Sequence, residues 1–478
     1  MPSAAPKLSS PMRQEKDSLG MHPVPRDAYY GVQTQRAVEN YPISGQRASA
    51  ALIEAYGLQK WASARANEEL GMVPRRLARA IQKAALEVAA HRWDPQFVVD
   101  VYQAGAGVSF HMNVNEVLAN RANQILGGRL GEYKPVHPND HVNFGQSTND
   151  TFPTAMRIAA RLEFDRLVPQ VRACGQAFAA KGKEFDGVLK SGRTHMQDAV
   201  PIRLGQEFAA YALAFERCAG ELEHAAAGLL ELGLGGSAVG TGLNTHPRYR
   251  VLALRLLSGR TSHNWRPAAD MRFAMQSQLP MAVASSALRN LALEVIRISN
   301  DLRLLSSGPM TGLNELQLPA LQPGSSIMPG KVNPVMPELA AMVSFQAVGN
   351  DISVALAVQA GQLELNVMMP AMAHAVLHAA GILRNMLAVF TERCVRGLKA
   401  NPERCRFYAG ATLAQATALN PYIGYARAAE LVKEALATNR SLVDLAREKN
   451  LLSPAELSRI LDARAMTEPR VPKPEKRR

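Results

Sequence analysis

Seven residues constrain this chain more than anything else in it: Ala284, Leu288, Leu291, Val295, Ile298, Leu302 and Leu305, spaced 4, 3, 4, 3, 4 and 3 apart. On an α-helix that spacing puts every one of them on a single stripe. A stripe sustained over three heptads is a coiled-coil seam, which needs partner helices to cover it. The partners are in the same chain. Residues 152–183, 201–232 and 337–369 carry long helical patterns, and "AMAHAVLHAAGILRNMLAVFTERCVRG" follows Pro370. "ASAALIEAYGLQKWASARANEELG" and "PRRLARAIQKAALEVAAH" predict two more helices before residue 92. Aromatic residues make up only 6% and alanine is abundant, which favours helix over sheet. The expectation is an all-α fold with a central bundle of long helices. Alanine, glycine and apolar residues also cover the second face of 337–369. One bundle alone leaves that face wet, so subunits are expected to associate through it.

A length of 478 residues points to roughly three domains. The divisions read from composition are a disordered tail at 1–12, an N-terminal domain at 13–146, the bundle at 147–398, a small helical domain at 399–465 and a basic disordered tail at 466–478. Within the small domain, Ser453 with Glu456 three residues on has the form of a capping box. No run of ~18 or more uncharged apolar residues occurs, so no membrane span is expected. The first residues lack an apolar core, so a secretory signal is not expected either. Cys174, Cys218, Cys394 and Cys405 are widely spread, without C-x-x-C spacing. They read as buried thiols in a reducing, cytoplasmic setting.

The net charge is +13, partly from the tail "EPRVPKPEKRR". A basic chain can be a nucleic-acid binder, but no stacking motif, zinc finger or recognition helix accompanies the charge. Attraction of a small dianionic substrate is the competing use of positive potential.

Four polar, non-periodic stretches interrupt the helices: "AGAGVSFHMN" (104–113), "GQSTND" (145–150), "SGRTHMQDA" (191–199) and "GSSIMPGKVNP" (324–334). Any one of them could be a turn with caps, since Ser147, Thr148 and Asn149 are all good capping residues. Four of them, with His195 and Lys331 included, point instead to a site for a carboxylate-rich ligand, which hydroxyls, amides and helix N-termini bind well. Other motifs carry less. "GLGGSA" (233–238) follows a helical run rather than a strand, which argues against a dinucleotide loop. His374 and His378 are one turn apart on an apolar face without the glutamate of a zinc-protease helix, so they read as packed or solvent-tipped side chains. No metal-ligand cluster is evident, and the chemistry below requires no cofactor.

"GSSIMPGKVNP" is similar to the signature loop of the fumarase/aspartase superfamily. "DAYYGVQTQRAVENYPISG", "NEVLANRA", "HPNDHVNFGQSTND", "GRTHMQDAVPIRLGQEF", "GTGLNTHP", "NDLRLLSSGP" and "ALNPYIGY" resemble further family segments in family order, from about residue 13 to about 465. The nearest branches are aspartate ammonia-lyase and class II fumarase. "LNELQLPALQPGSS", "NPVMPE", "AGQLELNVMMP" and "DAVP" lean towards the first. The resemblance implies a three-domain, all-α fold whose long-helix bundle assembles into a tetrameric helical core, with each site built from loops of three subunits. It also implies β-elimination of ammonia from a small dicarboxylate. Ser325 then maps to the general base, with His195 beside it in catalysis. Ser147, Thr148, Asn149 and Thr194 map to substrate holding, Ser326 to an added donor, and Lys331 with Asn333 to the clamp on the second carboxylate. A serine works as a base only if its oxyanion is stabilised, and a glycine-rich loop offers backbone N–H groups for that purpose. The loop is expected to close over substrate.

Two positions depart from the family's G-T-S-x-N-M-N pattern: Val108 stands in place of a hydroxyl residue and His111 in place of an asparagine. Tolerated drift and a changed substrate, such as a substituted aspartate, both account for this. Fumarase activity and a non-catalytic bundle protein are the other readings the sequence leaves open.

Overall fold

The computed structural model describes residues 11–472. Long helices dominate it: Ala50–Glu69, Val108–Ile125, Thr148–Glu184, Leu204–Gly228, Leu279–Leu305, Val335–Gln359 and Met369–Arg393. The seven-residue seam that opened the sequence reading lies on Leu279–Leu305, and every member is at most 5% exposed. Pro280, Pro337 and Pro370 each sit in the first turn of a long helix, where the missing N–H has no partner to lose. Among the described residues, strands occur only as four two-stranded pairs. Two of these are hairpins of useful length, Met12–Asp17 with Gly20–Pro25 and Leu189–Thr194 with Gln197–Arg203.

By compactness the chain divides into two units. One comprises residues 1–168, 220–292 and 345–384; the other comprises 169–219, 293–344 and 385–478. This partition cuts the long helices and differs from the three consecutive domains proposed from sequence. In the second unit, Phe178 packs among Phe208, Tyr211, Phe215 and Phe390, with ring centroids 5.5–6.4 Å away. A smaller apolar cluster in its C-terminal part gathers Leu419, Leu431, Leu445, Leu457 and Ile460. The Ser453–Glu456 capping box is present there in both directions.

Two sequence expectations need correction. The helix expected over 337–369 ends at Gln359, and a second begins at Met369. Between them Leu363 takes a φ of 49°. Asn366 donates from Nδ2 to the carbonyls of Ala357 and Val358, satisfying acceptors that the helix end would leave bare. The apolar period hid a break made by one capping amide. The stretch 191–199 is a β-hairpin rather than an irregular loop, because the two strands are joined by a tight two-residue turn at His195 and Met196. Leu279–Leu305, Val335–Gln359 and Met369–Gly397 are long and apolar enough by length and composition to cross a membrane, since each has an 18-residue window with no more than two charges.

The window in Val335–Gln359 is the least covered, with 33% buried. Met342, Phe345, Ile352 and Leu356 on this helix are 64%, 60%, 59% and 62% exposed, so the second apolar face read from the sequence is indeed open in the single chain. All four cysteines are buried, and burial pushes the thiols of Cys174, Cys394 and Cys405 up to about 12. Of the expected tails, residues 1–10 and 473–478 lie outside the described residues. Of their inner ends, Met12 opens the first strand, Glu468 pairs with Arg203 at 2.6 Å, and Arg470 donates to the carbonyls of Arg459 and Ile460.

Candidate active site

The signature segment folds into a closed loop in the second unit. Gly324 N–H donates to the Lys331 carbonyl at 2.8 Å, and Asn333 Nδ2 donates to the Gly324 carbonyl at 2.7 Å. Only glycine fits at 324, where a Cβ would lie 2.6 Å from the Lys331 oxygen. Gly330 takes a φ of 76°, a left-handed turn that a side chain would strain. Inside the loop, Ser325 Oγ accepts the N–H groups of Ile327 at 3.2 Å and Met328 at 3.0 Å. Two backbone donors therefore already point at the oxygen that has to carry negative charge if this serine acts as a base. Ser325 and Asn333 are half-buried, while Ser326, Lys331 and the apolar tip at Ile327 are exposed. One Asn333 N–H is spent on closing the loop, which makes this residue part of the loop's frame.

Thr194 and His195 sit at the tip of the hairpin, both exposed. His195 and Met196 take φ values of 54° and 64°, left-handed at two non-glycine residues. Such a turn matches the twist of the flanking strands but costs on the order of 1 kcal/mol or more at each side chain. The strand below holds it in place. Arg193 pairs with Glu315 at 2.9 Å, and Lys190 lies 2.7 Å from Glu207 and 3.4 Å from Glu315, which is fully buried.

The remaining candidates lie in the first unit, at the start of helix Thr148–Glu184. Ser147 does what its residue type predicts of a cap: its Oγ accepts from Asn149 N–H at 3.2 Å, while its own N–H donates to Asp150 Oδ1 at 2.9 Å. Asn149 Nδ2 donates to the Ala238 carbonyl at 2.7 Å. Thr148 Oγ1 lies 2.7 Å from His111 Nδ1. The glycine-rich 233–238 segment has a role the sequence did not reveal. Gly235 and Ser237 donate their N–H groups to Asp150 Oδ2, at 2.9 and 3.1 Å, and so tie the helix start in place.

Two buried groups escaped the sequence reading. Lys60 is 1% exposed, and burial draws its ammonium down to about 7. Asp150 is fully buried, and burial raises its carboxyl to about 6. The one available signal for Lys60 was its position within "EAYGLQKWASA", on a helix with apolar and small residues almost all round. His111, noted in the sequence as a departure, lies beside Lys60 and is held neutral by burial and by that ammonium.

Comparison with known proteins agrees with this architecture. Residues 20–349 match the family model described as lyase, and residues 416–468 match the fumarase C C-terminus. An aspartate ammonia-lyase from Bacillus sp is 45% identical over 462 residues, covering 97% of this chain and 99% of that protein. The chain belongs to the fumarase/aspartase lyases. A class II fumarate hydratase from Halobacterium salinarum is 47% identical to this lyase over 464 residues, 96% of the chain and 98% of the relative. The crystal structure of a fumarate lyase:delta crystallin from Brucella melitensis shares its fold with a TM-score of 0.92 and 44% identity, covering 96% of this lyase and all of that chain.

Proposed function

We propose that this lyase catalyses the reversible β-elimination of ammonia from L-aspartate to give fumarate. Ser325, as the oxyanion, removes a proton from the carbon next to the side-chain carboxylate. The electron pair is delocalised into that carboxylate, forming a doubly negative enediolate. It then returns to form the carbon–carbon double bond as the C–N bond breaks, and its electrons leave with ammonia. Lys331 neutralises one carboxylate and Asn333 donates a hydrogen bond to it; Ser147, Thr148, Asn149 and Thr194 hold the other end, with His195 at the hairpin tip. Preorganised donors aimed at the developing charge supply most of the rate enhancement in such a reaction. The observation that carries the reading is Ser325 Oγ under two backbone N–H groups inside a loop closed at its base. No metal or cofactor is needed for these steps.

The choice of aspartate over malate rests on the segments around the signature and on "AGQLELNVMMP". Fumarase activity is the second reading, favoured by the Halobacterium relative. Formation of ultraviolet-absorbing fumarate separates the two: we expect it from L-aspartate, and its appearance from L-malate alone would overturn the choice. The open apolar face of Val335–Gln359 supports a homotetramer, and with it sites shared between subunits. A cytoplasmic metabolic enzyme is the setting that fits buried thiols.

A further inference from the structure

The environment of His111 holds a buried hydrogen-bond network that these steps do not use. Lys60 Nζ lies 2.9 Å from His111 Nε2, 3.0 Å from Asn143 Oδ1 and 3.0 Å from Gln146 Oε1. An ammonium has three protons and no lone pair. A protonated Lys60 among these three partners obliges His111 Nε2 to accept, which places the ring proton on Nδ1. Nδ1–H then donates to Thr148 Oγ1 at 2.7 Å, and the threonine's own proton is left to point elsewhere.

A neutral Lys60 reverses this arrangement. Its two protons go to Asn143 and Gln146, and its lone pair faces Nε2, which now carries the ring proton. Thr151 supports the second state. Its hydroxyl gives its one proton to the Ser147 carbonyl at 2.8 Å, so at 3.3 Å from Nε2 it can only accept. Nδ1 is then bare, and the Thr148 hydroxyl donates inward to it. The same heavy-atom positions serve both states. They differ only in where the protons lie, and they give Thr148 opposite hydrogen-bonding character.

We propose that His111 is a positioning residue that passes the protonation state of Lys60 to the Thr148 hydroxyl, and so governs whether that hydroxyl donates to a bound dicarboxylate. The inference rests on the reading of Thr148 as a substrate contact. The titratable groups around Lys60 are few. Asp150, at the start of its helix, is the carboxylate that acts on it, and His111 faces it from helix Val108–Ile125. Tyr56, one turn back on its own helix, stacks on the His111 ring at 5.9 Å and is kept protonated by burial. Asn143 and Gln146 bring only amides. Burial draws Lys60 to about 7, which puts both states within reach near neutrality. An imidazole suits the task because its two nitrogens face opposite ways across one ring, whereas an amide has to turn over to exchange donor and acceptor.

The test is fumarate binding by calorimetry to the full chain, for wild type, Thr148→Val, His111→Leu and the double variant, at about pH 6 and about pH 9. Losing one hydrogen bond to a carboxylate is worth about 10-fold. Thr148→Val should therefore weaken binding about 10-fold at the lower pH and hardly at all at the higher. In the His111→Leu background no ring nitrogen competes for the threonine's proton, so its effect should be about 10-fold at both pH values. An equal loss at both pH values in the wild-type background, or a loss that still depends on pH in the His111→Leu background, overturns the inference. The pH comparison needs no variant at His111, so misfolding of His111→Leu leaves it decisive. Fumarate binding without aspartate turnover defeats the ammonia-lyase reading alone; no fumarate binding to wild type defeats both.

Discussion

Replacing Lys60 by methionine removes an ammonium that this fold buries at 1% exposure and keeps a side chain of similar length. Its drop from 10.5 to about 7 disfavours the charged form in the fold by roughly 5 kcal/mol, at about 1.4 kcal/mol per pH unit. Methionine relieves that cost but leaves the acceptors on His111, Asn143 and Gln146 without their donor, at about 1–3 kcal/mol each. These effects largely offset each other near neutrality, so net stability at one pH is a weak test. The slope is the sharp one.

Between about 7 and 10.5 the folded lysine has lost its proton while the unfolded chain still holds one. The unfolded state binds more protons in that window, so the lysine makes stability rise with pH by up to about 1.4 kcal/mol per unit. From about pH 7.5 to about pH 9.5, wild type should therefore gain roughly 2–3 kcal/mol relative to Lys60→Met, since every other titrating group is common to both. Well below pH 7 the lysine is protonated in both states and adds no slope of its own; the difference left there comes from Asp150, whose carboxyl the ammonium helps to keep ionised. Urea denaturation followed by far-ultraviolet circular dichroism at several pH values reads this difference. Curves that stay parallel up to about pH 9.5 would show that Lys60 keeps its ordinary proton affinity in the fold, and the argument from burial would fail.

Ser325→Ala should lower kcat for fumarate formation about 10²–10⁴-fold with KM little changed, because it removes the proposed base and not a carboxylate contact; a comparable rise in KM alone would assign the serine to binding. Val108 is 42% exposed at the first turn of its helix, whereas His111 is buried in the Lys60 network, so the two departures from the family pattern are separable. Val108→Thr restores a hydroxyl worth about 1.5–3 kcal/mol against a charge and should raise kcat/KM for aspartate 10-fold or more. Unchanged kinetics would leave that hydroxyl without a partner. Phe345→Glu together with Ile352→Glu places charge on the open apolar face and should shift the mass measured by light scattering to a smaller species; an unchanged mass would remove this face from the subunit interface.

The helical seam was legible because burial on one side of a helix leaves a period in the sequence, and all seven seam residues are buried as that period requires. The closed signature loop was legible for a different reason. Glycine, proline and serine at fixed offsets have few alternative uses, and the structure finds a close approach at Gly324, a left-handed turn at Gly330 and backbone donors on Ser325. The break after Gln359 was not legible. Its cause is the Asn366 side chain bonding back to two carbonyls, and an asparagine in an apolar run does not declare its partner. The hairpin at 189–203 was missed because the polar residues at its tip conceal how short the turn is.

The sequence by itself determined the helices, the family and the candidate residues, since each depends on period or on residue type at fixed spacing. Only the tertiary structure decided what surrounds them. Lys60, His111 and Thr148 are 51 and 37 residues apart in successive steps along the chain, yet lie within hydrogen-bonding distance in the fold. A buried lysine looks like any other lysine in a sequence. Its proton affinity is lowered by the water it has lost and partly restored by the Asp150 carboxylate, and packing alone supplies both.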